Sequence, residues 1–274
     1  IKKSIEIMAY SVEIIYSKNQ DYTNSKTVTQ AGQPSSIELT NLQSEQAYYI
    51  KAVLKNDGVV VDEDANKFTT LSAVVDKTKY FYVENTSDTD GKFYIIRYGS
   101  PTTADLKYSF DGVDWFTADL STNFSLEVAA GETVYMKGTN TSGFNRDSSN
   151  YYKMYMKVNH NIGGNIMSIV DEENYSTITS VPDHCFTSLF YVDKYLVDAG
   201  DVNFGSVTSI GNGGCSYMYF DCTSLTTPTN LSNVTSIGNS GCSGMYGDCT
   251  SLTTPADLSN VTSIGKSGCQ VMYN

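Results

Sequence analysis

The first 184 residues contain no cysteine, and the whole chain of 274 has only two histidines, five prolines and one tryptophan. Scarce histidine removes the commonest general base and metal ligand. His160 and His184 stand in no recognisable motif. No P-loop, His-Glu-x-x-His helix or Gly-x-Ser-x-Gly elbow occurs, so the usual signatures of phosphate binding, zinc hydrolysis and serine catalysis are absent. Positive charge is short as well. Eighteen Lys and Arg face thirty Asp and Glu, a net charge of −12, and such a surface repels a phosphate backbone. No nucleic-acid partner is expected. No apolar run approaches the roughly 18 residues of a membrane-spanning helix, so no membrane insertion is expected either. Ile1-Lys2-Lys3-Ser4-Ile5 lacks the apolar core and cleavage site of a signal peptide, so an exported protein would take its signal from outside this stretch or use another route. No heptad run points to a coiled coil. A homo-oligomer stays open.

What is abundant is tyrosine, with 21 residues, together with Ser, Thr and Asn. That composition suits a β-rich extracellular or structural protein. Residues 1–72 read as short alternating strands: Val12, Ile14 and Tyr16; Ile37 and Leu39; Tyr48, Ile50, Ala52 and Leu54; and a closing run at Phe68–Leu71. Residues 74–160 read as a second β-block with strands at Lys79–Glu84, Lys92–Tyr98, Leu106–Phe110, Asp114–Ala118, Phe124–Val128, Thr133–Lys137 and Lys153–Val158. Asp90-Gly91 and Asp111-Gly112 are hairpin signals, because a type I′ turn needs positive φ at both central positions. Short strands with a turn every 8 to 12 residues favour a sandwich. Residues 161–175, opening Asn161-Ile-Gly-Gly-Asn-Ile-Met-Ser-Ile169, read as the joint to the C-terminal third and as its cap.

The C-terminal third is a tandem repeat. Val207-Thr-Ser-Ile-Gly-Asn-Gly-Gly-Cys-Ser-Tyr-Met-Tyr-Phe-Asp-Cys-Thr-Ser-Leu225 recurs from Val234 and again from Val261, an offset of 27 residues. A degenerate copy precedes it at an offset of 29, from Thr179 to Leu196. Columns emerge: Val181, Ile210, Ile237 and Ile264; Phe186, Cys215, Cys242 and Cys269; Leu189, Met218, Met245 and Met272; Phe190, Tyr219, Tyr246 and Tyr273. Stacked repeats bury equivalent side chains against one another, and no single unit can bury its apolar face alone. The Cys-Ser-x-Met-Tyr-x-x-Cys stretch is expected to be a short helix or 3₁₀ turn, and Thr-Ser-Leu-Thr-Thr the sheet rung. The cysteines keep the same period, and Phe186 substitutes for one of them. Buried thiols acting as small hydrophobes are therefore favoured over disulfides, zinc or catalysis.

Three resemblances attach to these residues. Leu42-Gln-Ser-Glu-Gln-Ala-Tyr48, the strand after it and Lys67-Phe-Thr-Thr-Leu71 resemble the tyrosine corner and closing strands of a fibronectin type III domain over about residues 10 to 72. About a dozen residues precede the Val12 strand, too few for both opening strands, so that domain is expected to be incomplete. Lys107-Tyr-Ser-Phe-Asp-Gly-Val-Asp-Trp115 with Ala130-Gly-Glu-Thr-Val-Tyr-Met-Lys-Gly138 is similar to a β-module that precedes leucine-rich repeats in proteins of gut bacteria and their tailed phages. Met-Tyr-x-x-Cys-Thr-Ser-Leu-Thr resembles the BspA-like leucine-rich repeat, here with 27-residue units and a Pro after the leucine. The fold implied is mostly β: two Ig/fibronectin III-like β-sandwich domains (1–72 and 74–160) and then a capping segment and a BspA-like leucine-rich-repeat solenoid (161–274), which stops mid-unit at Asn274. The resemblance implies a non-catalytic, extracellular adhesion or structural protein of a phage virion or bacterial cell surface. It would bind a host-surface protein or glycan, or neighbouring virion or cell-surface proteins, without a cofactor. The alternative is a carbohydrate-binding accessory region of a larger secreted enzyme.

Other residues with chemical promise have plainer readings. Asp62 and Asp64 fall in an expected loop, where a solvated turn outweighs a glycosidase pair. Asp88-Thr-Asp-Gly91 has its glycine too early for a calcium loop and reads as a hairpin turn. His184 reads as a solvated turn residue. Trp115 could stack on a sugar, but a lone strand tryptophan is usually core. Columns that vary between copies mark where recognition can be tuned without harming the stack. They place Tyr217 and Phe220 first as contact residues, with Asn230 and Asp257 after them. The plain reading is that Tyr217 and Phe220 close a gap beside the first regular repeat.

Overall fold

Strands and turns account for nearly all the hydrogen-bonded backbone. In the computed structural model the described residues are 10–17, 25–31, 47–56, 59–69 and 75–273, and the only helical segment among them is a 3₁₀ turn at Ile166–Ile169. The chain divides into two units, Ile1–Val75 and Asp76–Asn274.

In the first unit β1 (Tyr10–Ser17), β2 (Lys26–Ala31), β3 (Ala47–Asn56) and β4 (Val59–Thr69) form one antiparallel sheet in the order β2-β1-β3-β4. Ile14 pairs with Ala52 and Glu13 with Val53, so the buried Ile14 and Val53 lie on opposite faces. Ala52 and Leu54 are only partly buried. The expected single apolar face along Ala52 and Leu54 is corrected accordingly, because Val53 is apolar in the other phase. Asp62 and Asp64 lie within β4, opposite Leu54 and Ala52, and not in a loop. β4 is an edge strand, where charge is tolerated and discourages pairing with another chain. Ile37, Leu39, Leu42 and Leu71 lie outside the described residues.

All seven strands expected in the second β-block are present: β5 (Phe81–Asn85), β6 (Gly91–Tyr98), β7 (Lys107–Ser109), β8 (Phe116–Thr117), β9 (Phe124–Val128), β10 (Thr133–Lys137) and β11 (Tyr151–Met156). Next come β12 (His160–Asn165), β13 (Ser180–Val181) and β14 (Leu196–Asn203). One sheet runs β14-β12-β5-β10-β7-β8 and another β11-β6-β9. Their buried residues, Phe81, Val83, Val134 and Met136 from one and Phe93, Ile95, Tyr152 and Met154 from the other, share one core. That core continues into the repeats, because β12 pairs antiparallel with β5 and parallel with β14.

Asp90-Gly91 is not a hairpin turn, since β5 and β6 belong to different sheets. Gly91 is needed for space: a Cβ there would lie 2.4 Å from Val158 Cγ2. Asp111-Gly112 does lie in a hairpin connection, between β7 and β8, but only Gly112 has positive φ, so the turn is not type I′.

In the repeats β13 pairs in parallel with β15 (Ser209–Ile210), β15 with β16 (Ser236–Ile237), and β16 with β17 (Ser263–Ile264). The sheet rung is therefore Ser-Ile and not Thr-Ser-Leu-Thr-Thr. Of the latter segment in the first regular copy, only Thr227 forms a bridge, to Asp198. Glycine comes after each rung isoleucine and allows close stacking: a Cβ on Gly238 would lie 2.8 Å from the Gly211 carbonyl carbon.

The cysteine-bearing stretch is a run of turns with the i→i−3 bonds of the expected 3₁₀ turn, and not a continuous helix. The N–H groups of Phe186, Ser188, Phe190 and Val192 donate to carbonyls of the next repeat at 2.7–3.0 Å. Those of Thr187, Leu189, Tyr191 and Asp193 donate to the residue three before at 3.1–3.2 Å. Half the donors thus point sideways. A helix keeps all of its interior donors for itself and cannot bond a neighbour in this way. Every fourth residue is left-handed: His184, Ser188 and Val192, then Gly213, Tyr217 and Asp221, then Ser240, Gly244 and Asp248.

Candidate functional site

The turn run sorts its side chains strictly. Cys215, Met218, Tyr219 and Cys222 point into the stack and are fully buried, while Tyr217 and Phe220 point out. Inside, Phe190, Tyr219, Tyr246 and Tyr273 stack rung upon rung, with centroids 5.6, 5.3 and 5.4 Å apart and planes within 10°. All six cysteines are free thiols, five of them buried. Burial pushes the Cys185 thiol up to about 12 and raises those of Cys215, Cys222 and Cys242 above their ordinary value. These four remain protonated at neutral pH and serve as packing groups, while a hydrogen bond with Cys222 lowers the Cys249 thiol.

On the outside, Tyr191 and Phe220 stack at 5.4 Å and 12°, and Tyr217 meets Phe220 edge-on at 5.6 Å. Tyr217 is 43% exposed. The next rung carries Gly244 and Gly247 at the equivalent positions, so the aromatic surface ends there. The column is not free to vary independently. The Tyr217 ring lies over Gly244, where a Cβ would meet Cε1 at 2.5 Å. His184 lies over Gly213 in the same way, its Nδ1 2.5 Å from such a Cβ. These two ring-bearing left-handed residues thus lean along the stack, each onto a glycine of the next rung.

Beside Tyr217 runs a shallow groove of about 350 Å³, lined among others by His184, Thr187, Asn212, Asn239 and Ser240. His184 is only partly exposed, and its buried Nδ1 has no hydrogen-bond partner. The solvated-turn reading of that histidine is corrected: left-handed backbone turns its ring onto the neighbouring rung. Amide, hydroxyl and imidazole groups beside an exposed ring can hydrogen-bond and stack a polar, flat-faced ligand.

The remaining expected contact residues lie elsewhere. Asn230 Oδ1 accepts from Ser232 N at 2.9 Å, and Asp257 Oδ1 from Ser259 N at 2.8 Å. Both are exposed and close the same turn, which accounts for their sharing a column. Trp115 lies just before β8, half-buried and outside the core. Its Nε1 donates to Gly112 O at 3.2 Å, Tyr80 packs edge-on at 4.9 Å, and Lys137 Nζ sits 4.3 Å over the ring. The expected core position fails because β8 is the last strand of its sheet.

Sequence reasoning also missed a buried ion contact. His160 Nε2 lies 3.1 Å from Asp193 Oδ2, both side chains 1% exposed. His160 Nδ1 donates to Val158 O at 2.9 Å. Burial opposes the imidazolium charge, but the Asp193 carboxylate and the Val158 carbonyl outweigh it and raise the histidine above its ordinary value. No local motif marks this pair, because the partners come from β12 and from the end of the first turn run. No group of three or more metal-ligating side chains occurs among the described residues, and no helix there is long and apolar enough to cross a membrane. No family model, curated protein or solved structure matches the chain.

Proposed function

We propose that this chain is a non-catalytic recognition protein, displayed outside the cell on a virion or bacterial surface, that binds a host-surface glycan or protein through its repeats. Its array is read as a BspA-like leucine-rich-repeat solenoid carried on Ig/fibronectin III-like β-modules. The parallel Ser-Ile ladder and the 27-residue register support the solenoid. The observation that carries the binding role is the outward-facing cluster of Tyr191, Phe220 and Tyr217 beside a polar groove. Aromatic anchors of this kind dominate recognition surfaces, since they bury large area at small entropic cost.

The test is binding of the purified chain to a glycan array and to intact bacterial cells, repeated with Tyr217→Ala/Phe220→Ser. Wild-type protein binds a limited ligand set and leaves it chemically intact, and the double variant loses at least about tenfold in affinity, as loss of a hot-spot residue does. Unchanged binding by the variant, or turnover of the ligand, rejects the reading.

A further inference from the structure

A second exposed surface lies on the β-module. The buried face of β6 and β11 consists of Phe93, Ile95, Tyr152, Met154 and Met156. Strand alternation sends their neighbours to the opposite face. There the register sets Tyr94 beside Tyr155, Ile96 beside Lys153, and Tyr98 beside Tyr151. The tyrosines stack in two pairs: Tyr94 with Tyr155 at 4.9 Å and 12°, and Tyr98 with Tyr151 at 5.0 Å and 14°. Tyr98 is 42% exposed. Four residues separate the pairs on each strand, about 13 Å at the usual rise.

Cations alternate with the pairs. Lys153 Nζ lies 5.1 Å over the Tyr155 ring, and Lys157 Nζ lies 5.6 Å over Tyr94. Neither makes an ion pair among the described residues. The carboxylates nearest Lys153 in charge, Asp193 and Asp221, are taken by His160 and Lys194. Burial lowers the Lys153 ammonium below its ordinary value, so an approaching anion would relieve a standing cost. In a chain of net charge −12, this aromatic face carries two cations that make no ion pair among the described residues.

We infer that the outer face of β6 and β11 binds a linear acidic polysaccharide whose sugars carry carboxylates. The apolar C–H face of a sugar ring suits the negative face of a tyrosine ring, and phenol hydroxyls hydrogen-bond sugar hydroxyls. A sugar held against Tyr155 or Tyr94 brings its carboxylate within reach of Lys153 or Lys157. The repeat of ring pair and cation along the strands matches a polymer better than a single sugar. This face borders the aromatic cluster of the repeats, with Tyr151 close to Tyr191, but its cations, Lys153 and Lys157, are no part of that cluster.

The test is affinity electrophoresis and titration calorimetry of the whole chain with polygalacturonate, alginate and hyaluronan, with neutral pullulan and duplex DNA as controls. At least one uronate polymer is expected to bind, more weakly as salt is raised, and pullulan and DNA are not. Lys153→Gln/Lys157→Gln and Tyr155→Ala should each weaken binding at least about tenfold, the loss of a charge-assisted contact or an aromatic anchor. Tyr217→Ala/Phe220→Ser should leave it unchanged, which separates this site from the repeats. Lys157 is exposed. Lys157→Gln alone is therefore also tested, and thermal unfolding of every variant is compared with wild type, so that lost binding is not mistaken for lost fold. Failure to bind all three uronates, equal binding of pullulan or DNA, or indifference to the lysine substitutions overturns the inference.

Discussion

Left-handed residues every fourth position set the rules for single side chains in the repeats. For an L-residue that conformation costs about 1–2 kcal/mol, which glycine avoids. Gly244 has φ +61 and the Tyr217 ring against it. Gly244→Ala should therefore destabilise the chain by about 2 kcal/mol, from the backbone and from displacing the ring. In a Tyr217→Ala background only the backbone part, about 1 kcal/mol, should remain. Urea unfolding of the four proteins measures the coupling, and an equal cost in both backgrounds would refute the contact between ring and glycine. Tyr217 is at once an exposed ring and a piece of the stack.

At the scale of an element, the aromatic ladder ties one bend of the repeat to the next. Thr229 is fully buried behind Pro228, and its N–H donates to the Tyr246 hydroxyl at 3.2 Å. Ala256, behind Pro255, donates to the Tyr273 hydroxyl at 2.7 Å. Tyr246→Phe preserves the stacking and strands a buried donor, at a cost of about 1–3 kcal/mol. Tyr273→Phe should cost less, since Tyr273 is 38% exposed and water can replace the hydroxyl. Chemical denaturation of both variants gives the order, and a larger loss for Tyr273→Phe would contradict it. The side-chain amides form a second ladder, Asn212 Oδ1 accepting from Asn239 N at 2.9 Å and Asn239 Oδ1 from Lys266 N at 2.8 Å. Each rung is thereby ordered by its neighbour, as a stacked array requires.

Across the second unit, the His160–Asp193 contact joins the β-module to the first repeat. Because the native histidine is raised above its ordinary 6.5, its contribution is fully present below about pH 6.5 and is lost as pH rises through the native value. Urea midpoints should fall on going from pH 6 to pH 9, and His160→Gln should flatten that dependence. A slope unchanged by the substitution would show that the pair does not hold the charge. Removing the imidazole in His160→Ala leaves Asp193 buried without its counter-charge, at about 3–5 kcal/mol. Since β12 also pairs with both β5 and β14, damage at this joint should unfold module and repeats together.

The sequence alone determined the 27-residue register, the buried columns and the strands of the second β-block. Apolar spacing and repetition are local signals, and burial tracks them wherever neighbours stack in phase. Phe190, Tyr219, Tyr246 and Tyr273 could be aligned by counting. Tertiary structure decided the rest, because it sets where backbone hydrogen bonds go. The Cys-Ser-x-Met-Tyr run reads as a short helix or 3₁₀ turn, and structure decides that half of its donors find the next repeat. Gly91 reads as a turn until Val158 packs against it. Tyr217 and Phe220 stood out because they differ between copies, but Tyr191 joined them only through stacking. The Tyr94–Tyr155 and Tyr98–Tyr151 pairs, and the contact of His160 with Asp193, unite residues far apart in the chain. Cross-strand register and a shared core create those neighbours, and neither is written in any short stretch of sequence.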